Sequence, residues 1–298
     1  MGKVSVKPLT VGIVGPGNLG TALALSLSRA GYAVRVLAVR SQKRMPSNTL
    51  KLARRLKAKL VALGEIALDT DLVWITVPDD VIGAVAAQLA LMQQWRNKTV
   101  FHSSGALTSD VLAPLREKGA GVASVHPVMT FVHRSMPRLE GVPFGIEGDS
   151  AAVRIAKEVV RTLGATPHLI RKENKVLYHA FGSFASPMLI ALMAALEQVG
   201  RAAGIKPSDL RSMAAPLLRQ TLNNYLEHGA PAAFSGPLVR GDVATIRRHL
   251  EALRKVPQAR EVYLAFAKIA VKDLPVKNQK ELERELSGQR TSRRATSS

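Results

Sequence analysis

Three glycines at the end of a short apolar segment form the clearest chemical motif of the sequence. Gly15, Gly17 and Gly20 fit the pattern G-x-G-x-x-G. The first glycine permits a tight turn, the second lets the backbone approach a pyrophosphate, and the third lets the next helix pack closely on the strand. The free N–H groups at the start of that helix, which holds Asn18 and Leu19, attract phosphate. The motif predicts a dinucleotide-binding loop, and the alternative is a glycine-rich turn that binds nothing.

The residues after the next apolar segment distinguish one dinucleotide from another. NAD-binding domains place an acid there to hold the ribose hydroxyls, but here Arg40 and Ser41 follow the segment and Arg44 lies close behind. An arginine can bind a 2′-phosphate with two hydrogen bonds, and Ser41 can donate another. Eight basic residues and no acidic one occur between positions 40 and 59. The sequence therefore predicts NADP as the cofactor rather than NAD or FAD.

Two more segments with ligand-binding potential follow later strands. In open α/β sheets, ligands bind beyond the carboxyl ends of the strands. We expect the backbone of Val77, Pro78 and Asp79 to run along the nicotinamide ribose, although Asp79 can also cap the next helix. Ser103 and Ser104 offer two hydroxyls beyond the following strand. We predict that Ser103 contacts the cofactor and Ser104 the substrate, and the alternative is a capped turn.

Strand and helix patterns alternate around these residues as far as position 171. Such alternation is typical of an α/β fold with a parallel sheet that helices cover on both faces. We therefore predict a Rossmann domain, doubly wound and mainly parallel, over residues 9–172. Strands are predicted at 11–14, 33–39, 72–77, 99–102, 121–125, 143–147 and 168–171, and helices at 18–30, 48–58, 81–92, 109–118 and 151–163.

Strand signals disappear after position 172, and long helical patterns predict an all-α second domain over residues 173–286. Its helices are predicted at 173–203, 207–228, 243–253 and 257–270. The most apolar stretch, 181–196, is interrupted by serines and a proline, so we predict a buried helix rather than a membrane span. The two ends, 1–8 and 287–298, are predicted to be flexible.

Composition narrows the class of protein further. The 298 residues include no cysteine, which excludes disulfides and thiolate catalysis and favours a cytoplasmic location. The seven histidines show no metal-ligand spacing, so no metal is predicted. The net charge of +20 attracts anions. Only 4% of the residues are aromatic and no nucleic-acid-binding motif is present, so neither a specific nucleic acid nor a membrane is predicted as a partner.

Segments in both halves of the chain resemble known families. The segments GIVGPGNLG from position 12, VRS from 39 and ITVPDDVI from 75 resemble the NADP-binding Rossmann domains of one enzyme group. That group contains 6-phosphogluconate dehydrogenase, pyrroline-5-carboxylate reductase and F420-dependent NADP oxidoreductase. The segments KVLYHA from 175, APLL from 215, TLNN from 221 and SGPLVRGD from 235 resemble the family DUF2520. Over residues 9–270, the resemblance implies a second domain like that of 6-phosphogluconate dehydrogenase and a homodimer.

The resemblance also implies catalytic side chains at the start of the second domain. In 6-phosphogluconate and 3-hydroxyacid dehydrogenases, a lysine there precedes a polar pair at the third and fourth positions, and Lys175, Tyr178 and His179 have this spacing. These positions share one helix face. We predict that Lys175 and His179 act with Ser104, the lysine moving a proton at a substrate oxygen if its pKa is lowered. The pair here is Tyr-His, where the relatives have His-Asn or Asn-Asn, which leaves the substrate open. A surface lysine beside two hydrogen-bonded side chains is an equal alternative.

Three functions are compatible with these features. The first is an NADP(H)-dependent oxidoreductase that transfers hydride between the nicotinamide and a small carbonyl, hydroxyl or imine substrate between the two domains. The second is a non-catalytic NADP(H)-binding sensor or scaffold. The third, a nucleic-acid-binding protein, rests on the charge alone. Oxidation of NADPH by a panel of carbonyl compounds separates the first two, and a gel shift that survives moderate salt would favour the third.

Overall fold

The computed structural model describes residues 9–41, 47–64, 68–132 and 137–288. The chain forms two compact units, one up to Phe184 and one from Ala185 onward. Each unit has its own cluster of buried apolar side chains. The domain boundary at 172 and 173 stays a prediction. Of the two ends predicted to be flexible, only Ser287 and Gly288, at the end of the last helix, are among the described residues.

The first unit contains an eight-stranded sheet of the predicted class. Its strands run in the order β3-β2-β1-β4-β5-β6-β7-β8. All neighbouring strands pair in parallel except β6 and β7, which are antiparallel. The strands are β1 (Thr10–Val14), β2 (Ala33–Val39), β3 (Lys59–Ala62), β4 (Leu72–Ile75), β5 (Thr99–His102), β6 (Gly121–Pro127), β7 (Pro143–Gly148) and β8 (Thr166–Leu169).

Helices cover both faces of this sheet, as the alternating pattern predicts. The helices of this unit are α1 (Asn18–Arg29), α2 (Ser47–Leu56), α3 (Asp79–Met92), α4 (Ala113–Glu117), α5 (Ser150–Thr162) and α6 (Lys175–Ala185). Alternate residues of β4 belong to different cores: Trp74 packs in the cluster that contains α1 and α5, and Val73 in the one that contains α3. Because both faces are covered, β1, β4 and β5 are buried throughout, and the inner residues of each strand are apolar or glycine.

One strand of the sheet is missing from the sequence prediction. The short strand β3 lies at the edge of the sheet and pairs only with β2 among the described strands. It has only four residues, begins with the exposed Lys59, and has just its last two residues buried. So short a segment, directly after the α2 pattern, was not separated from its surroundings in the sequence.

The second unit is helical in the described residues, as predicted. Its helices are α7 (Pro187–Ala202), α8 (Leu210–Ala233), α9 (Pro237–Arg240), α10 (Val243–Ala252), α11 (Pro257–Asp273) and α12 (Gln279–Ser287). Gly229 has a non-helical backbone inside α8. The core of this unit is small and is centred on Ile246 and Leu282. The short helices α9 and α12 are absent from the sequence prediction.

The prediction of a buried helix over residues 181–196 is wrong. Ser186 separates α6 from α7, and Phe181, Phe184 and Ile190 are each at least 66% exposed. The region Lys172–Ala202 is apolar and long enough to cross a membrane by length and composition, and none of its most apolar window is buried. The sequence shows that this region is apolar, but apolar composition alone does not determine whether other elements cover a helix.

Candidate functional site

The glycine loop has a geometry that only glycine satisfies at two positions. Gly15 has φ +85°, and a Cβ atom there would lie 2.5 Å from Cγ1 of Val77. At position 20, a Cβ atom would lie 2.5 Å from Oγ1 of Thr76 and 2.7 Å from the carbonyl oxygen of Gly15. That carbonyl oxygen accepts a hydrogen bond of 2.7 Å from the Thr76 hydroxyl. The loop is therefore tied to the end of β4 as well as to α1.

The middle glycine, Gly17, has open surroundings, whereas Gly15 and Gly20 are crowded. Gly17 is exposed, and a Cβ atom there would have no heavy atom of the described residues within 4 Å. It is the N-cap residue of α1, and no side chain in the described part of the chain caps the helix. The amide of Asn18 donates a hydrogen bond to the carbonyl oxygen of Phe131, and Leu19 is half-buried against the core. Open space lies in front of the first turn of α1, where a dinucleotide phosphate would need it.

Cationic side chains without acidic partners follow β2. Arg40 and Ser41 are exposed, and Arg40 forms no ion pair with any described residue. Arg44, which the sequence also predicts as a 2′-phosphate contact, lies outside the described residues. In α2, Lys51 and Arg54 are exposed and likewise form no ion pair within the described part of the chain.

The segment after β4 passes directly beside the glycine loop. Val77 is half-buried against the position of Gly15, and Pro78 is the exposed N-cap residue of α3. Asp79 is the first residue of α3, and its side chain does not cap the helix backbone. Instead, its Oδ2 atom accepts a hydrogen bond of 2.6 Å from the hydroxyl of Ser104. The two predicted segments after β4 and β5 are thus joined by side chains.

The two serines after β5 point in different directions. The Ser103 hydroxyl is buried, accepts a hydrogen bond from the indole of Trp74 and donates one to the carbonyl oxygen of Val125. That hydroxyl therefore holds neighbouring strands together, and the backbone N–H of Ser103 donates to the carbonyl oxygen of Ile75. The Ser104 hydroxyl accepts hydrogen bonds from the backbone N–H groups of Ala106 and Leu107 in addition to its bond to Asp79.

The His102 ring forms hydrogen bonds with the backbone on both sides of this turn. The N–H of Ser104 donates to Nδ1 of His102 at 3.1 Å, and Nε2 lies 3.2 Å from the carbonyl oxygen of Thr108. The ring is completely buried, and burial together with the nearby Lys175 lowers its pKa to about 3. A neutral ring that carries its proton on Nε2 satisfies both contacts.

Lys175, the first residue of α6, is buried rather than on the surface. Lys175 is 1% exposed, and its ammonium nitrogen Nζ has no hydrogen-bond partner in the described residues. Burial lowers its pKa, and the carboxylates of Glu147 and Asp79 partly oppose this shift. Glu147 is itself buried, and both of its oxygens accept hydrogen bonds from Ser109. A buried ammonium group without a partner is costly, which is typical of a functional lysine.

The other two predicted residues of α6 flank His126. The hydroxyl of Tyr178 lies 2.9 Å from Nδ1 of His126, and burial raises the pKa of the tyrosine to about 12. His179 is exposed, and its ring centroid lies 6.2 Å from that of His126. Both histidine rings pack over Gly105, where a Cβ atom would lie 2.5 Å from Cδ2 of His179. Burial, Lys175 and His179 lower the pKa of His126 to about 4.

The structure thus brings Lys175 together with Asp79 and with residues that sequence reasoning did not select. These are His102, His126 and Glu147, which end or nearly end three strands of the sheet. Their positions at the carboxyl ends of β5 and β6 were the available signal for the histidines. No group of three or more histidine, aspartate or glutamate residues in the described ranges could hold a metal ion.

Comparisons with known proteins agree with this architecture. Residues 142–269 match the domain of unknown function DUF2520, and residues 2–127 match a Rossmann-like domain. A protein from Bacteroides fragilis described as an NADP oxidoreductase is 19% identical, with a TM-score of 0.71 over 89% of this chain and 98% of that chain. A protein from Thermotoga maritima is 22% identical, with a TM-score of 0.70 over 92% of this chain and 99% of that chain.

A third solved structure was determined with bound ligands. The reductive aminase from Aspergillus terreus, in complex with NADPH and ethyl-5-oxohexanoate, is 16% identical, with a TM-score of 0.61 over 93% of this chain and 98% of that chain. No curated protein matches the sequence. The Rossmann-like and DUF2520 resemblances inferred from sequence motifs are confirmed, each by a family model that matches one part of the chain.

Proposed function

We propose that the protein is an NADP(H)-dependent oxidoreductase that acts on a small carbonyl, hydroxyl or imine substrate beside Lys175. The proposal combines a cofactor-binding part, built by the glycine loop and Arg40, with a proton-transfer part, built by Lys175 and the groups around it. Most of the first part falls in the Rossmann-like match, and Lys175 falls in the DUF2520 match.

The described residues of the glycine loop suit a dinucleotide. A pyrophosphate needs open space and free N–H groups at a helix start, and the surroundings of Gly17 offer both. A 2′-phosphate needs a cation, and Arg40 is exposed and without an ion-pair partner among the described residues. Gly15, Gly17 and Gly20 would hold the pyrophosphate, and Arg40, with Ser41, would bind the 2′-phosphate.

Lys175 is the observation that carries the catalytic proposal. When bound, the nicotinamide would supply or accept a hydride. Burial lowers the pKa of Lys175 toward neutral pH, so it gives up a proton there more readily than an exposed lysine does. Tyr178 remains protonated and His126 remains neutral at that pH, so both can hydrogen-bond a neutral substrate without adding charge. The complex of the reductive aminase with NADPH and a keto ester supports carbonyl and imine compounds as the first substrates to test.

The test is oxidation of NADPH in the presence of ketones and aldehydes, each with and without an amine. Lys175→Met should abolish any turnover found and leave NADPH binding intact, because it removes the proton donor and keeps the length of the side chain. Lys172→Met is the matched control, since Lys172 is exposed and pairs with Asp110. Equal loss of turnover in both variants would contradict the role of Lys175.

The cofactor preference is tested separately. Arg40→Asp should weaken NADPH binding far more than NADH binding, because only NADPH carries the 2′-phosphate. Equal weakening of both would remove Arg40 as the 2′-phosphate contact. If NADPH binds but no substrate is turned over, the alternative of a non-catalytic NADP(H)-binding sensor or scaffold would be favoured.

We also propose that a second copy of the chain covers the exposed apolar helices of the second unit. Met213, Leu217 and Leu226 of α8 are each more than 60% exposed, and an apolar groove of about 530 Å³ lies between α7, α10 and α11. Exposed apolar surface of this extent is typical of a protein interface. Light scattering should give the mass of a dimer, and Leu217→Glu should give a monomer.

A membrane is a poorer explanation for the exposed apolar region. The helix is interrupted at Ser186, and Lys175 and Tyr178 of α6 are packed against strands of the first unit. An interrupted backbone facing lipid would leave unsatisfied polar groups in the bilayer core. We therefore propose a cytoplasmic protein. Sedimentation of the protein with lipid vesicles would argue against this assignment.

A further inference from the structure

The hydroxyl of Tyr178 occupies a notch on the sheet that two paired residues form. His126 of β6 and Gly145 of β7 lie opposite each other in the antiparallel pair. The tyrosine oxygen lies 2.9 Å from Nδ1 of His126 and 3.4 Å from the carbonyl oxygen of the same residue. The two rings meet edge to face with centroids 5.6 Å apart. One side chain thus fixes α6 to two strands at once.

The notch exists because position 145 has no side chain. A Cβ atom there would lie 2.5 Å from Cζ of Tyr178, closer than real Cβ atoms approach other atoms, and would also contact the hydroxyl. The backbone of Gly145 does not have a positive φ, so other residues could adopt its conformation. A Cβ atom would also lie 3.1 Å from Cγ1 of Ile170, but the two closest atoms belong to Tyr178, whose space is therefore the main reason for glycine at this position.

Tyr178 lies one helical turn after Lys175 on the same face of α6. Nζ of Lys175 is 5.8 Å from the centroid of the tyrosine ring. A side chain that fixes this turn to the sheet also fixes the depth at which the lysine is buried. If the turn moved outward, water would reach Nζ and the penalty for the ammonium form would fall.

We infer that His126 and Gly145 are positioning residues that hold Tyr178 and thereby keep Lys175 buried and without a partner. A catalytic role for the buried Lys175 rests on the proposed function. The contacts of Tyr178 with His126 and Gly145 do not depend on it. Charged and titratable groups of five elements interact with Lys175. They are Asp79 of α3, His102 of β5, His126 of β6, Glu147 of β7 and Tyr178 of α6 itself.

The test measures the pKa of Lys175 in the full-length protein without cofactor or substrate. The protein is acylated briefly with acetic anhydride at a series of pH values, and modification of Lys175 is quantified by peptide mass spectrometry. The exposed Lys51 in the same samples serves as the internal reference. In Tyr178→Phe, which keeps the ring and loses the hydroxyl, the midpoint for Lys175 should rise by about one pH unit. Gly145→Ala should raise it in the same direction.

The chain contains a closely matched control pair in its second unit. Nδ1 of His249 lies 3.1 Å from the hydroxyl of Tyr263, with ring centroids 5.9 Å apart and nearly perpendicular planes. Tyr263→Phe removes the same type of hydrogen bond and should leave the Lys175 midpoint unchanged. A combined Tyr178→Phe and Gly145→Ala variant should shift the midpoint less than the sum of the two single shifts, because both act through one contact.

Unchanged Lys175 midpoints in folded Tyr178→Phe and Gly145→Ala proteins would overturn the inference. An equal shift in Tyr263→Phe would overturn it too, since the effect would then be general destabilisation. Neither result depends on NADPH. A failure of NADPH to bind would count against the proposed function. The positioning of Lys175 would still be supported or overturned by the pH titration of Lys175 alone.

Discussion

The hydroxyl of Ser104 donates a hydrogen bond of 2.6 Å to Oδ2 of Asp79, which joins the chain segments beyond two neighbouring strands, β4 and β5. The same hydroxyl accepts hydrogen bonds from the N–H groups of Ala106 and Leu107. Sequence reasoning gave Ser104 a role with the substrate and Asp79 a role with the cofactor. The contact makes these two roles interdependent, because either side chain sets the position of the other.

Loss of the Ser104 hydroxyl should therefore affect folding as well as function. Ser104→Ala leaves two backbone N–H groups without their acceptor, so the free energy of unfolding should fall by about 1–3 kcal/mol. Urea denaturation measures this change. Ser28→Ala, in an exposed turn of α1, should change stability by less than about 0.5 kcal/mol. A fully stable Ser104→Ala protein would mean that the turn does not need this hydroxyl.

The glycine loop predicts opposite outcomes for two alanine substitutions. Gly20→Ala should destabilise the fold, because its Cβ would lie 2.7 Å from the carbonyl oxygen of Gly15. Gly17→Ala should leave the melting temperature nearly unchanged, because its Cβ would enter open space, and it should weaken NADPH binding at least tenfold, or about 1.4 kcal/mol. Thermal melting and nucleotide titration of both proteins check the pair. Unchanged binding in Gly17→Ala would show that this space is not used by the phosphates.

Two histidines of the sheet, the buried His102 and the half-buried His126, predict a loss of stability in mild acid. The pKa of His102 is lowered to about 3 and that of His126 to about 4, mainly by burial, from an ordinary value of 6.5. Below pH 6.5 these histidines become protonated in the unfolded chain but stay neutral in the folded protein, so acid favours unfolding. Each histidine should contribute a slope of up to about 1.4 kcal/mol per pH unit, His126 down to about pH 4 and His102 down to about pH 3.

Urea denaturation at several pH values measures that slope. His126→Gln should reduce it between pH 6 and pH 4.5, because one of the two titrating groups is gone. His228→Gln is the control, since that ring is exposed and solvated in the folded protein. A slope that is the same in wild type and His126→Gln would mean that the His126 ring accepts a proton in the folded state.

The buried Lys175 should lower the free energy of unfolding of the wild-type protein. Burial lowers its pKa from the ordinary value of 10.5, because the folded protein disfavours the charged ammonium form. Lys175→Met should raise the free energy of unfolding by about 1 kcal/mol or more at pH 7. The gain should shrink as the pH approaches 10.5, where the unfolded lysine also loses its proton. A destabilised Lys175→Met protein would indicate that the ammonium group has a stabilising partner.

Sequence reasoning located the features that depend on local geometry. The glycine loop was predictable because the positive φ of Gly15 and the close approach at Gly20 allow few other residues. The fold class was predictable because strands buried on both faces require continuous apolar runs. The edge strand β3 and the helix α9 have only four residues each, and α12 has two apolar residues in nine, so none of them was recognised in this way.

Contacts between distant parts of the chain were beyond such reasoning. The Ser103 hydroxyl meets Trp74, 29 positions away, and nothing in the local sequence indicates which way a side chain turns beyond a strand. Tyr178 meets His126 across 52 positions, so the spacing of the α6 residues revealed the helix face but not its partner. The burial of Lys175 follows from that contact and from the surrounding strands.

Calorimetric titration of the purified protein with NADPH and then with NADH tests the cofactor site directly. The protein should bind NADPH with a micromolar or lower Kd, corresponding to about −8 kcal/mol, and NADH at least tenfold more weakly. That result would support the glycine loop and Arg40 as the cofactor site. Binding of neither nucleotide, under conditions in which the protein is folded, would contradict the proposal that this chain is an NADP(H)-dependent oxidoreductase.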